Sequence, residues 1–215
     1  MSACPACGSP LFGWLVIESH EDDGAGEPIV LERCERCRLG VAAGLAPSDA
    51  ASELLGSARQ ISEGKLELRV ANRASVQASL GGRHWAALEP KRRLYPTPQS
   101  LRPLAAAAGL EIEEVRFPRR RRGQVWMWQT IINAFTFHEN FPEEVRAGNL
   151  RPRGTLGHLK FGIDAAVTVL AAIPVAVVSA PLELFSALLG RGGELTAAAR
   201  RSETPSDGGR RPRSP

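Results

Sequence analysis

Residues 72–117 read NRASVQASLGGRHWAALEPKRRLYPTPQSLRPLAAAAGLEIEEVRF. Asn72 closes a strand-like run, and Trp85 with Leu88 to Leu94 forms a loop. Thr97 opens a helix that Gly109 ends, and Glu111 to Phe117 reads as a further strand. Working back, Ala46-Pro47-Ser48 is linker-like, and Ser48 or Asp49 is placed to cap a helix from about Ala50 to Gln60. Glu63-Gly64 breaks that helix. Lys65 to Val70 then alternates, with Leu66, Leu68 and Val70 on one face, as a half-buried strand does.

This order resembles the C-terminal part of class I S-adenosylmethionine-dependent methyltransferases, in the branch with an N-terminal zinc-binding segment. The matching residues are Asn72, Trp85, Pro90, Arg92, Leu94, the Thr97-Pro98-Gln99-Ser100-Leu101 helix start and the Ala108-Gly109-Leu110 helix end. Arg93 stands where that family usually has His. The resemblance reaches back to about residue 48 and implies a reduced Rossmann-like unit of three strands. These are Lys65 to Val70, Glu111 to Phe117 and Glu194 to Ala199, the last antiparallel between the other two. It also implies that Trp85, Arg92, Arg93 and Tyr95 line the remnant of an acceptor pocket.

The donor-binding half is missing from this pattern. Only ten residues separate Cys37 from Ser48, and no Asp/Glu-x-Gly-x-Gly sequence occurs. Gly81-Gly82 and Gly190 to Gly193 read as turns. S-adenosylmethionine is therefore expected to bind only with a partner, and the substitution of Arg for His removes a group that titrates near neutrality. The loss also leaves strand 65–70 with an open edge. A zinc-hairpin strand, a second copy of the chain or a separately encoded partner is expected to cover it.

Cys4-Pro-Ala-Cys7 and Cys34-Glu-Arg-Cys37 are two C-x2-C knuckles, separated by apolar strands at Leu11 to Ser19 and Pro28 to Arg33 and a polar turn at Glu21 to Gly26. Two intervening residues let both thiolates of a knuckle reach one tetrahedral ion, and the second pair closes a structural Cys4 zinc site. Unrelated buried thiols and disulfides are the competing readings. No charged n-region with an apolar core and cleavage site opens the chain, so a reducing compartment is expected, which favours metal.

Arg119 to Arg122 and Gly123-Gln-Val-Trp-Met-Trp combine cations with aromatics. Trp126, Trp128, Ile131, Ile132 and Phe135 fall near helical spacing, which suits an interface helix or ordinary core better than a nucleic-acid surface. His138 and Glu139 read as surface neighbours. Ala165 to Leu182 holds no charged residue and reaches the length at which a membrane helix becomes a candidate. Pro174 and Pro181 interrupt it, so a kinked span or a helical hairpin dipping into one leaflet is expected rather than a straight span. The return of the chain to one sheet favours a hairpin or interfacial anchor, and a buried helical pair in a soluble protein is the competing reading. Basic residues flank both ends, Arg151, Arg153 and Lys160 before and Arg191, Arg200 and Arg201 after, which places both ends on the cytoplasmic side.

With 43% hydrophobic residues and a net charge of +4, the chain carries enough apolar material for a core, and its basicity is local, at Arg119 to Arg122 and Arg210 to Arg213. Nucleic acid is disfavoured as a partner because the ribbon carries Glu18, Glu21, Asp22, Asp23, Glu27 and Glu32. The expected organisation is α+β: a zinc ribbon (1–45), a partial methyltransferase-like α/β unit (46–118), a helical insertion with a membrane-associated segment (119–190, apolar through 165–189), a final strand (191–201) and a disordered tail (202–215). The expected function is a truncated or degenerate methyltransferase-like protein that is not catalytic alone, with enzymatic activity left open. The alternative is a zinc-ribbon adaptor or scaffold at the cytoplasmic membrane surface.

Overall fold

In the computed structural model, which describes residues 2–17, 20–21, 24–25, 28–89, 91–118 and 121–202, ten strands and six α-helices follow one another. They are β1 (Leu11–Ile17), β2 (His20–Glu21), β3 (Gly24–Ala25), β4 (Ile29–Cys34), β5 (Gly40–Ala42), α1 (Pro47–Gly56), β6 (Ala58–Ser62) and β7 (Lys65–Ala71). Then come α2 (Val76–Gly81), β8 (Leu94–Tyr95), α3 (Pro98–Ala107), β9 (Leu110–Arg116), α4 (Arg121–Asn133), α5 (Phe141–Ala147), α6 (Gly154–Leu188) and β10 (Glu194–Arg201). Glu18, Asp22, Asp23, Glu27, Pro90, Arg119, Arg120 and the tail from Glu203 onward lie outside the described residues.

The two knuckles sit at the base of the β1–β4 hairpin, where Leu11 pairs with Cys34. β5 and then β8 extend this sheet in the order β1-β4-β5-β8, so residues 94–95 belong to the same sheet as the ribbon. Thr97 opens α3 as read from the sequence. Its hydroxyl accepts from the Ser100 amide at 3.1 Å while Ser100 Oγ accepts from the Thr97 amide at 2.8 Å, a reciprocal cap that satisfies two free donors. The same Thr97 hydroxyl donates to the Cys37 carbonyl at 2.7 Å.

The second sheet has the order β6-β7-β10-β9. β10 is antiparallel to both β7 and β9, the arrangement expected for those three strands. The Rossmann-like assignment is nevertheless corrected. Every strand pairing among the described residues is antiparallel, whereas a Rossmann unit requires neighbouring parallel strands joined by crossover helices. The cause is visible at Glu63-Gly64. Gly64, at φ 70°, turns β6 straight back into β7, and so short a connection permits only antiparallel neighbours.

Two local expectations fall with it. The helix expected to Gln60 ends at Gly56 and starts at Pro47, with Ala46 as its N-cap and no side-chain cap from Ser48 or Asp49. Residues 58–62 become β6 instead, which fills the β7 edge that the missing half was expected to leave open. A third expectation, the apolar helical hairpin, is also overturned: residues 154–188 form one continuous helix through both Pro174 and Pro181.

One apolar cluster joins the ribbon to the rest. Cys4, Cys34, Cys37, Leu39 and Val41 pack with Leu54 of α1, Leu101 and Leu104 of α3, Leu68 of β7 and Leu195 of β10. A second cluster gathers Leu31, Ala71, Ala78, Trp85, Tyr95 and Trp126.

Candidate metal centre and the outward-facing helix

Each knuckle is a tight turn closed by its own backbone. The Cys4 amide bonds to the Ser9 carbonyl at 2.8 Å and the Gly8 amide to the Cys4 carbonyl at 2.8 Å, while the Cys34 amide bonds to the Leu39 carbonyl at 2.9 Å. The residue following each knuckle, Gly8 or Arg38, is left-handed at φ 71° or 58°. That reversal turns the pair of thiols to one side, and glycine takes it without a steric penalty where arginine does not.

The four Sγ atoms lie within 4.8 Å of one another, with Cys4 to Cys37 and Cys7 to Cys34 each at 3.5 Å. A tetrahedral zinc with bonds of about 2.3 Å sets its ligand sulfurs about 3.8 Å apart, so the cluster brackets the required edge. A disulfide, at about 2 Å, is not formed by either pair. The cluster therefore fits a closed four-thiolate site with no position left for a substrate water.

Its electrostatics are divided between burial, which favours the thiols, and hydrogen bonds, which favour the thiolates. Burial pushes the Cys4 thiol up to about 11 against the amides of Ala6 and Cys7, which favour its thiolate. Burial also raises Cys37, with the Leu39 amide opposing. Burial acts upward on Cys7 as well, but the Ser9 hydroxyl and amide, with Cys34 and Cys37, bring it down to about 6. Hydrogen bonds aimed at sulfur favour the thiolate form that a metal ion needs, and they outweigh burial at Cys7 but not at Cys4 or Cys37.

Of the residues expected to line an acceptor pocket, three come together as packing. Trp85 and Tyr95 are fully buried, with ring centroids 5.7 Å apart. The Tyr95 hydroxyl donates to the Glu89 carbonyl at 3.1 Å. Arg92 lies over Tyr95 at 6.0 Å and pairs with Glu89 at 3.1 Å. Arg93 is separate: it borders a groove with Lys91, Ile29 and Val30, and its amide donates to Glu53 at 2.7 Å. Trp14 of β1 completes the aromatic set, edge-on to Tyr95 at 6.2 Å and under the Arg73 guanidinium at 3.9 Å. Nothing in the spacing of the sequence marked Arg73. Burial, followed by the charges of Arg33 and Arg38, lowers it to about 10, and the Trp14 face is the compensation.

His138 and Glu139 do not act as a pair. His138 Nδ1 meets Asp164 at 2.7 Å, while Glu139 lies 3.4 Å from His84 on the other side. In the described part of the Arg-Trp segment Trp126, Met127 and Ile132 are buried and Arg122 lies 4.7 Å over Trp126, whereas Phe135 is exposed.

α6 is the second notable feature. It is long and apolar enough to cross a membrane by length and composition. Its polarity is inverted with respect to the body it packs on. Asp164, Ser179, Glu183 and Ser186 form an inward stripe at helical spacing, whereas Val169, Leu170, Ile173 and Val177 are 74%, 78%, 77% and 68% exposed. The inward carboxylates are fully engaged. Asp164 accepts from the amides of Phe137 at 2.8 Å and His138 at 3.0 Å. Glu183 accepts from Gln77 Nε2 at 2.6 Å and the Gly193 amide at 2.9 Å, and Gln77 also donates to the Gly123 carbonyl at 2.8 Å. Midway, Trp128 Nε1 donates to the Ala172 carbonyl at 3.0 Å, in the turn that Pro174 weakens. The sequence placed Asp164 and Glu183 only as the ends of an apolar run; that both are inward anchors follows from the helix being unbroken.

No family model, no curated protein and no solved structure matches the chain. Together with the antiparallel sheets, this overturns the resemblance to methyltransferases, and with it the degenerate-methyltransferase reading of the function. What stands is a four-cysteine cluster able to hold a metal ion and one long outward-facing apolar helix.

Proposed function

We propose that the chain is a zinc-stapled adaptor that docks on the cytoplasmic face of a membrane through α6 and presents its antiparallel body to the aqueous side. The observation that carries this reading is the inverted polarity of α6. In water, a helix packed on a protein turns its apolar side inward. A helix that buries Asp164, Ser179 and Glu183 and exposes Val169, Ile173 and Val177 has the polarity suited to lipid.

Zinc is the ion of choice for four closed thiolates in a reducing compartment. Its role here is structural. The cluster belongs to the same core as Leu54, Leu101, Leu104 and Leu195, so the ion would hold the β1–β4 hairpin against α1 and α3. Basic residues precede α6 and occupy its first turns, with Arg151 and Arg153 exposed and Lys160 half-buried, which suits an anionic cytoplasmic leaflet.

The test joins elemental analysis to vesicle flotation of the purified full chain. One zinc per chain and co-flotation with phosphatidylcholine–phosphatidylglycerol vesicles are expected. A metal-free, folded protein would overturn the first half, and a zinc-loaded protein that stays in the soluble fraction would overturn the second.

A further inference from the structure

Resting on the membrane-docking reading above, we infer that α6 lies in the plane of one leaflet and does not cross the bilayer, with anionic headgroups gathered at its N-terminal end by Arg151 and Arg153. α6 is tied to the body at three points. The ties are Asp164 to the 137–138 backbone, Trp128 to Ala172, and Glu183 to Gln77 and Gly193. The outer two lie about 28 Å apart along the axis, nearly the full hydrocarbon thickness of about 30 Å.

A crossing helix would therefore carry its neighbours into the hydrocarbon. At the Asp164 end that neighbour is α5, whose Phe141 stacks on Phe161 at 5.1 Å and which bears Glu143, Glu144 and the exposed Arg146. Alongside runs α4, and on its far side lies the 83–86 segment, which begins with Arg83 and His84. There the Asn133 side chain donates to the His84 carbonyl at 3.1 Å and Thr130 Oγ1 accepts from the Ala86 amide at 3.1 Å. At the Glu183 end comes β10, inside a four-stranded sheet. None of these elements tolerates lipid on all sides, because charged side chains and open sheet edges are costly there.

In-plane docking removes the conflict. The exposed face, carried from Leu159 and Ile163 through Val169, Leu170, Ile173 and Val177 to Leu184 and Leu188, enters the acyl region along its whole length while the body stays in water. Phe135 and Phe137, both exposed beside the Asp164 end, sit at interface depth. Arg151 and Arg153 border a cavity of about 140 Å³ with His138, Gly157 and Phe161, next to the first turn of α6. Both arginines are exposed, at the N-terminal end of α6, where cations near a docked helix end draw phosphate headgroups.

The experiment uses the full zinc-loaded chain with one epitope inserted after Asn149 and a second appended after Pro215, added to sealed phosphatidylcholine vesicles with or without phosphatidylglycerol. In-plane docking predicts co-flotation with both epitopes open to antibody before detergent. One epitope reached only after detergent would establish a crossing helix and overturn the inference while leaving membrane docking intact. Absence of flotation, with self-association in solution, would instead remove the docking reading itself. The double variant Arg151→Gln, Arg153→Gln is expected to lower affinity for the phosphatidylglycerol vesicles roughly 30-fold and to leave binding to phosphatidylcholine alone unchanged. Equal affinity for the anionic vesicles in both proteins would overturn the headgroup assignment.

Discussion

At Cys4 and Cys37 burial and metal chemistry oppose each other. Both thiols are pushed upward, Cys4 to about 11, so near neutrality both are protonated until an ion displaces the protons. Cys7, at about 6, is already a thiolate there. Binding of one ion therefore releases at least two protons, and affinity must rise with pH and fall on acidification. Competition with a chromophoric chelator at pH 6 and pH 8 checks this; an affinity that does not change between the two would contradict the assignment of Cys4 and Cys37 as ligands. The doubled C-x2-C spacing made these four residues legible in the sequence, because two residues between thiols is itself a geometric constraint. Arg73 was not legible, since the Trp14 ring that shields it comes from a strand nearly sixty positions away.

Among the elements, α6 separates what a sequence states from what only packing decides. The absence of charge from Ala165 to Leu182 was plain, and two prolines suggested a bend. Yet little between them supplies turn chemistry: no Gly, Asn or Asp lies between Pro174 and Pro181, and Ser179 is buried in the inward stripe. Both prolines lie on the exposed face, and the inward stripe stays in line from Asp164 to Ser186 only if the helix continues. Asp164 is the residue to perturb. Replacing it by Ala strips the Phe137 and His138 amides of their acceptor in a buried setting, which costs about 3 kcal/mol and loosens the start of α5. Chemical denaturation of the variant measures the loss, and a change below about 0.5 kcal/mol would show that water replaces the carboxylate. The Thr97-Pro98-Gln99-Ser100 start of α3 was legible for the opposite reason, since its cap is local. The β6–β7 hairpin was missed because Ala58 to Ser62 has no strong period of its own and pairs only once Gly64 has turned the chain.

For the molecule as a whole, the strand order β7-β10-β9 was read correctly while the fold built on it was not. Three strands in a given order are common to several architectures, and the neighbours decide which one is present. Here β6 supplies an antiparallel neighbour through a tight turn, and the ribbon shares its core with the second sheet through Leu54, Leu101 and Leu195. The resulting body has one side on which the carboxylates of Asp164 and Glu183 are hydrogen-bonded inward and apolar groups face outward. That inversion is what would bring the protein to a membrane, and flotation of a matched pair of proteins probes it. In the variant Val169→Lys, Ile173→Lys, Val177→Lys, the new ammonium groups meet water in the free chain, because all three positions are exposed. The expected result is a folded variant, with unchanged circular dichroism and zinc content, that loses co-flotation with neutral phosphatidylcholine vesicles at least tenfold relative to the parent. A folded variant that floats as well as the parent would contradict the account, because the outward face of α6 would then not be what meets the membrane.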